Sequence, residues 1–231
     1  MDNKWLDPVV QAYQEHFADT AEIVFDVGTR DGDDAEFFRE KLDAKRVIAI
    51  DANPAAAEAT RLAYPTFEVI ETAVSNYTGT VKFLQVNSDN KDWAGTSSMD
   101  LSKAWREAVF EGITEVIEVP VVTLSDLIDD LGLSSSLIDV MKIDVESYTY
   151  EALLGLGEAI RQVKVYHLET ERRYNRPGHG NNMQIAALMR HFGFYLYNVS
   201  YEWGDNIQDQ VWVNKALATV APYGYEILEQ N

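Results

Sequence analysis

Apolar residues occur along this chain in short continuous runs separated by stretches of helical spacing. The run "AEIVFDVG" (21–28) is apolar almost throughout, which is the pattern of a strand buried on both faces, and it stops at a glycine. "DDAEFFREKLD" (33–43) then places Phe37, Phe38 and Leu42 along one helical face, with Asp33 or Asp34 as the expected cap. "KRVIAIDA" (45–52) is a second buried strand. In "NPAAAEATRLAY" (53–64), Asn53 stands at the cap position and Pro54 at the first helical position. "TFEVIETAVS" (66–75) reads as a third strand. Strand and helix in this order predict right-handed βαβ units and a parallel sheet covered by helices.

The second half continues the alternation after an interruption. "GTVKFLQV" (79–86) reads as a hairpin strand. Residues 87–118 form a longer polar and aromatic segment, an insertion and substrate-region candidate containing Trp93, Ser97, Ser98, Trp105 and Phe110. "VPVVTLSDLIDDLG" (119–132) predicts a strand and a short helix capped by Ser125. "LIDVMKIDVE" (137–146) and "KVYHLETE" (164–171) are further buried strands. "YEALLGLGEAIRQ" (150–162) and "NMQIAALMRHFGF" (182–194) are helices, the latter ended by Gly193. "YLYNVS" (195–200) and "DQVWVN" (209–214) predict a closing antiparallel pair. The expected fold is α/β: a doubly wound, mostly parallel Rossmann-like sheet with a C-terminal antiparallel strand pair. Residues 1–231 read as a single domain, with residues 1–20 as an N-terminal helical extension.

Composition narrows the function classes. The 231 residues carry 38 acidic and 19 basic side chains, a net charge of -19, and no cysteine. Such a field repels nucleic acid and anionic membrane, so neither is an expected partner. Without cysteine there are no disulfides, thiolate metal sites or cysteine nucleophiles. No run of about 18 apolar residues is present, and "MDNKWLDPVV" lacks the basic start and apolar core of a secretion signal. A cytoplasmic location is the expectation. Oligomeric state is not legible.

The chemistry concentrates in "VFDVGTRDGDD" (24–34). Strand, glycine turn and helix form the layout of a nucleotide-cofactor loop, and Gly28 and Gly32 permit a tight turn and a close backbone approach. The spacing is Gly-x-x-x-Gly, not the dinucleotide pattern G-x-G-x-x-G. Asp26, Asp31, Asp33 and Asp34 are also the wrong charge for a pyrophosphate, since one close like-charge pair costs about 4 kcal/mol at an effective dielectric of 20. S-adenosylmethionine carries no phosphate, and its ammonium and sulfonium suit carboxylates. Asp51 ends the second strand near the spacing expected for a ribose-gripping acid.

With the fourth buried strand added, the chain resembles the FkbM-type S-adenosylmethionine-dependent methyltransferases. "DVGTRDG" (26–32) is similar to that family's D-V-G-A-N-x-G motif, and "KIDVES" (142–147) to its K-I-D-V-E-G motif. "ETAVSNYTGTVKFL" (71–84) and "GTSSM" (95–99) resemble its third strand with hairpin and its serine segment. Arg30 stands where the family usually has Asn, and Ser147 where it usually has Gly. The resemblance implies Asp26, Gly28 and Gly32 around the methionine end of the cofactor, Asp51 on ribose, and Thr72, Ala73 and Val74 beside adenine. It also implies Asp144 and Glu146 at the reacting centre, and O-methylation of a hydroxyl on a small-molecule or glycan-like acceptor.

Further proton-handling candidates are Glu169, Glu171 and, in the polar loop "RYNRPGHGNN" (173–182), His179. His167 sits mid-strand and reads as a hydrogen-bonded core histidine. Lys142 and Asp144 share one side of a strand and read as an ion pair. The acids offer oxygen ligands suited to Mg²⁺, but no compact ligand motif accompanies them and no metal is assigned. Two rival readings are an NAD-dependent oxidoreductase on a similar fold and a non-catalytic nucleoside-binding or interaction module. N-methylation is a variant within the leading class.

Overall fold

The structure is a computed structural model that describes residues 4–87, 97–99, 113–171, 180–201 and 207–219. Its strands are β1 (Ile23–Val27), β2 (Arg46–Asp51), β3 (Glu68–Glu71), β4 (Ala73–Val74) and β5 (Gly79–Asn87). They continue as β6 (Ile113–Val122), β7 (Ile138–Ile143), β8 (Val163–Glu171), β9 (Phe194–Tyr201) and β10 (Ile207–Asn214). The α-helices are α1 (Asp7–His16), α2 (Asp33–Leu42), α3 (Pro54–Ala63), α4 (Leu124–Asp130), α5 (Thr149–Leu156) and α6 (Asn182–His191).

Seven strands form the main sheet in the order β3-β2-β1-β7-β8-β10-β9. The first five are mutually parallel, and β10 runs antiparallel between β8 and β9. The expected antiparallel pair is therefore present, and its last strand in sequence is inserted inside the sheet. The order reverses between β1 and β7, which opens a crevice at the carboxyl ends of those strands.

Strand periodicity sorts the core into two layers. Phe25, Val27, Met141, Ile143, Tyr166, Leu168 and Trp212 face one side and pack under α4, α5 and α6. Val24, Val140, Val165, Val211 and Val213 face the other, under α1 and the Phe38 and Leu42 face of α2. Near the carboxyl ends this second face turns polar: Asp26, Lys142 and His167 lie side by side in register, two residues beyond Val24, Val140 and Val165. At the opposite end of the sheet, Asp139 accepts bonds from the Tyr13 hydroxyl (2.8 Å) and the Glu22 and Ile23 amides (2.7 and 2.9 Å). Lys164 bridges Asp139 and Asp19 at 2.7 and 2.6 Å, which ties α1 to the sheet.

Several local details depart from the sequence-based expectations. The predicted third strand is two strands. After Glu71 the chain leaves the main sheet, and β4 pairs with β6 in a separate three-stranded sheet, β4-β6-β5. The β5–β6 hairpin is longer than predicted, pairing Gly79 with Val121 through to Asn87 with Ile113. Residues 113–118 thus belong to a strand and not to an insertion. Helix α4 is capped by Thr123, whose hydroxyl accepts the Asp126 amide at 3.0 Å, because the helix begins one residue before Ser125. Neither Asp33 nor Asp34 caps α2. Gly32 holds that position at φ 83°, while Asp33 accepts the Tyr64 hydroxyl at 2.7 Å and Asp34 turns toward Lys142. Asn53 does cap α3, accepting the Ala55 amide at 3.0 Å. No helix among the described residues is long and apolar enough to cross a membrane.

Helix α5 crosses β4 at a distance that only a glycine allows. A Cβ on Gly155 would lie 2.2 Å from the Ser75 carbonyl oxygen. Helix propensity alone makes Gly155→Ala stabilising by about 1 kcal/mol, and the clash with rigid backbone reverses that sign. Gly155→Ala is expected to destabilise the fold by about 1–3 kcal/mol, read as a fall of several degrees in thermal unfolding.

Candidate active site

The site is organised by one buried lysine. Lys142, in β7, is 1% exposed, and its ammonium lies 3.4 Å from Asp26 (β1), 3.3 Å from Asp34 (α2) and 3.3 Å from Asp144. The pair expected from the spacing of Lys142 and Asp144 is thus half of a four-membered cluster. Burial alone would lower the lysine's pKa, but the three carboxylates outweigh it and hold the side chain protonated. The cluster keeps an excess of negative charge. Burial, together with Asp26 and Asp144, pushes the Asp34 carboxyl up to about 6 against the pull of Lys142.

Around this cluster the loops are drawn tight. Gly28 (φ 84°) donates its amide to the Ile50 carbonyl at 2.8 Å, and a Cβ there would meet the Asp144 carbonyl oxygen at 1.8 Å. The two motif loops therefore touch backbone to backbone, which requires a glycine. Arg30 (φ 56°), Glu146 (φ 51°) and Ser147 (φ 76°) all occupy the left-handed region despite their side chains. The usual glycine of the family at position 147 fits this backbone. Here the Ser147 hydroxyl donates to the Glu171 carboxylate, which helps to hold the turn.

A cavity of about 570 Å³, open to solvent, lies between these loops and the β5–β6 hairpin. Its lining combines Gly28, Arg30, Asp144 and Glu146 with Thr72 and the apolar Ala73, Val74, Phe83 and Met99. Asp51 also lines it, and its two carboxylate oxygens accept the Arg30 amide (2.9 Å) and the Asn53 amide (2.8 Å). These bonds fix its orientation and leave each oxygen further acceptor capacity. Burial raises the Asp51 carboxyl to about 6, although both amides favour its charged form. Gln85 donates to Asn53 at 2.8 Å and Asn53 donates to the Ser97 hydroxyl at 3.3 Å, which joins α3, the hairpin and the serine segment along the rim. The Ser98 hydroxyl donates to the Glu146 carbonyl at 3.2 Å.

The structure brings seven of the ten sequence-derived site residues onto one cavity: Gly28, Asp51, Thr72, Ala73, Val74, Asp144 and Glu146. Asp26 and Gly32, which the family resemblance sets beside the methionine end, lie behind the cavity wall. Asp26 is fully buried, with one oxygen accepting the Thr29 hydroxyl at 2.7 Å and the other facing Lys142. Gly32 makes room for Tyr64 and Thr60, whose side chains would lie within 3 Å of an added Cβ. His179, Trp93, Trp105 and Phe110 lie outside the described residues. His167 is a core residue, but among the described residues neither ring nitrogen has a hydrogen-bond partner, the Asp209 carboxylate standing 3.6 Å from Nε2. Its ring meets Trp5 edge-on at 5.2 Å, and burial with the nearby Lys142 charge pushes its pKa down to about 3, so it is neutral. Arg30, Asn53, Phe83 and Met99 were not assigned as ligand contacts from sequence. Two of them carried a signal: Arg30 as the departure from the family's asparagine beside the methionine end, and Asn53 in its cap position beside Asp51.

Asp144, Glu146 and Glu169 offer carboxylate oxygens that all lie within 4.8 Å of one another, the one such group among the described residues that a cation could bridge. Glu171 is not part of that group. Burial, reinforced by Asp144, Glu146 and Asp209, raises the Glu169 pKa well above the ordinary carboxylate range.

A doubly wound sheet with a cavity at its switch point, acidic where a phosphate binder would be basic, is the architecture of a nucleoside-cofactor enzyme. The family model described as "Methyltransferase FkbM domain" matches residues 26–196. The chain belongs to this family of S-adenosylmethionine-dependent methyltransferases. No match to a curated protein was found. Among solved structures, the chain is similar to precorrin-6y C5,15-methyltransferase from Geobacter metallireducens GS-15, with 9% identity and a TM-score of 0.48 over 88% of this chain and 86% of that one. It is also similar to magnesium protoporphyrin IX methyltransferase from Synechocystis PCC 6803, with 12% identity and a TM-score of 0.47 over 91% and 78%. A TehB-like methyltransferase from Corynebacterium glutamicum aligns at 10% identity and a TM-score of 0.45 over 92% and 95%. The family assignment rests on the family model alone.

Two outcomes are expected for the lysine cluster. Lys142→Met leaves three buried or half-buried carboxylates without their counter-ion and is expected to cost about 3–5 kcal/mol in urea unfolding. Asp34 binds its proton more tightly in the folded state than at its ordinary value of 3.8. The stability this contributes is present below about pH 4 and is lost as pH rises through about 6. Asp34→Asn should therefore lose on the order of 1–3 kcal/mol less stability than the parent between about pH 4 and pH 7. An unchanged pH slope would refute this account of the cluster.

Proposed function

We propose that the cavity binds S-adenosylmethionine and that the enzyme methylates a hydroxyl of a small-molecule or glycan-like acceptor. The observation that carries the reading is Asp51: a carboxylate fixed by two backbone amides in a cavity lined by both apolar and acidic residues. Its free acceptor capacity suits ribose hydroxyls. Ala73, Val74, Phe83 and Met99 supply the apolar surface an adenine ring needs, and Gly28 with the acidic residues suits the aminoacyl sulfonium portion. A dinucleotide would bring its pyrophosphate to the β1–α2 loop, against Asp31, Asp34 and Asp144, which disfavours the oxidoreductase reading.

When bound, the cofactor supplies a methyl group on a sulfonium, already a good leaving group. The protein's own work is to align the acceptor and remove its proton, and positioning alone contributes about 7–11 kcal/mol. Asp144 or Glu146 accepts the hydroxyl proton. Glu169 lies beside both, and burial favours its protonated form. The net charge of -19 disfavours polyanionic acceptors.

Calorimetric titration with S-adenosylmethionine, S-adenosylhomocysteine and NAD tests the cofactor. Micromolar binding of the first two is expected, with none for NAD, and Asp51→Ala should weaken binding at least tenfold. Ribose hydroxyls need the ionised carboxylate, so affinity should fall about tenfold per unit as pH drops below about 6. NAD binding, or no binding of either sulfur nucleoside to the folded protein, would overturn the reading. A screen of hydroxylated small molecules and saccharides for S-adenosylhomocysteine release tests the acceptor. With an acceptor found, Asp144→Asn or Glu146→Gln should lower turnover about 10²–10⁴-fold and leave S-adenosylhomocysteine affinity largely intact.

A further inference from the structure

The described residues that line the cavity include three carboxylates, on Asp51, Asp144 and Glu146, and a single base, Arg30. Among the described residues the other cation nearby, Lys142, is 1% exposed and surrounded by Asp26, Asp34 and Asp144. It does not reach the cavity. The amino-acid end of the methyl donor carries both an ammonium and a carboxylate. The acids account for the ammonium and the sulfonium, but they oppose the carboxylate, with about 4 kcal/mol for each close pair at an effective dielectric of 20. A site that binds the whole zwitterion needs one positive group at that end.

Arg30 is placed to supply it. Its left-handed backbone (φ 56°) follows Gly28 around the turn, and its amide is bonded to Asp51 at 2.9 Å, so the residue is anchored beside the ribose acid. Its guanidinium is 44% exposed; among the described residues its side-chain hydrogen bonds go to Asp31, through Nε at 3.3 Å and Nη2 at 3.5 Å, and Asp34 and Asp144 also attract its charge. These are long, half-exposed contacts of small worth. Nη1 has no hydrogen-bond partner among the described residues, which leaves donors for a planar, bidentate carboxylate contact. The geometry points to Arg30 as the group that binds the carboxylate of the methyl donor. This inference rests on the proposed reading of the cavity.

The test compares S-adenosylhomocysteine with its decarboxylated form, which retains adenosine, sulfur and ammonium, by calorimetry on the full chain. In the unaltered protein the decarboxylated ligand should bind at least tenfold more weakly. Arg30→Asn keeps the backbone amide to Asp51 and tolerates the left-handed turn. It should weaken S-adenosylhomocysteine about tenfold to a hundredfold and leave the decarboxylated ligand within about twofold. Equal weakening of both ligands would assign Arg30 to loop support and overturn the inference. So would no change in either, or equal affinity of the unaltered protein for the two, a comparison that needs no variant to fold. If the unaltered protein binds neither ligand, the cofactor reading itself fails and this inference falls with it.

Discussion

One ammonium ion in the interior organises the carboxyl end of this protein. Lys142 lies among three carboxylates contributed by β1, α2 and the end of β7, and none of the three elements can move away without exposing an uncompensated charge to the interior. The tightness of the site follows from this. The Asp144 amide bonds to the Val27 carbonyl at 2.9 Å, the Gly28 amide bonds to the Ile50 carbonyl at 2.8 Å, and the two loops meet where a side chain at position 28 has no room. Because three acids share one base, the cluster also projects negative potential toward the cavity. An electrostatic arrangement that holds the fold together thereby selects the kind of ligand the crevice accepts.

The strain in the backbone is distributed in the same place. Of the four non-glycine residues with positive φ among the described residues, Arg30, Glu146 and Ser147 lie in the loops that form the cavity. Each is held by bonds from outside its own turn: Arg30 through Asp51, Glu146 through the Ser98 hydroxyl, Ser147 through Glu171. The β5–β6 hairpin and α3 supply the counterpart, a rim joined through Gln85, Asn53 and Ser97. Costly conformations persist where surrounding contacts over-determine them, and here those contacts also present the polar groups of the site.

The N-terminal segment contributes more than a cover over apolar residues. Trp5 lies over the polar row of the sheet, edge-on to His167 at 5.2 Å and with the Lys142 ammonium 5.9 Å from its ring centre. Tyr13 and Asp19 bind Asp139 and Lys164 at the other end. Helix α1 is thus fastened to the charged groups at both ends of β7 and β8, with a valine layer between them.

Periodicity alone determined much of this protein. Continuous apolar runs marked the parallel strands, Asn53 and Pro54 marked the start of α3, and the order of strands and helices set the doubly wound fold, because these signals act between residues close in sequence. The acids at the ends of β1, β2 and β7 were legible for the same reason, since strand ends are readable. The tertiary structure decided the rest. Asp34 reads as a helix cap and Asp26 as a cofactor contact until β7 brings Lys142 between them. The run 66–75 reads as one strand until β6 draws Ala73 and Val74 into a second sheet. Arg30 becomes the single base among the described cavity residues only when α2, β2 and the β7 loop are folded against each other. Each of these outcomes depends on charges and hydrogen-bonding groups far apart in the chain, whose pairing costs are set by burial, and burial is a property of the folded molecule.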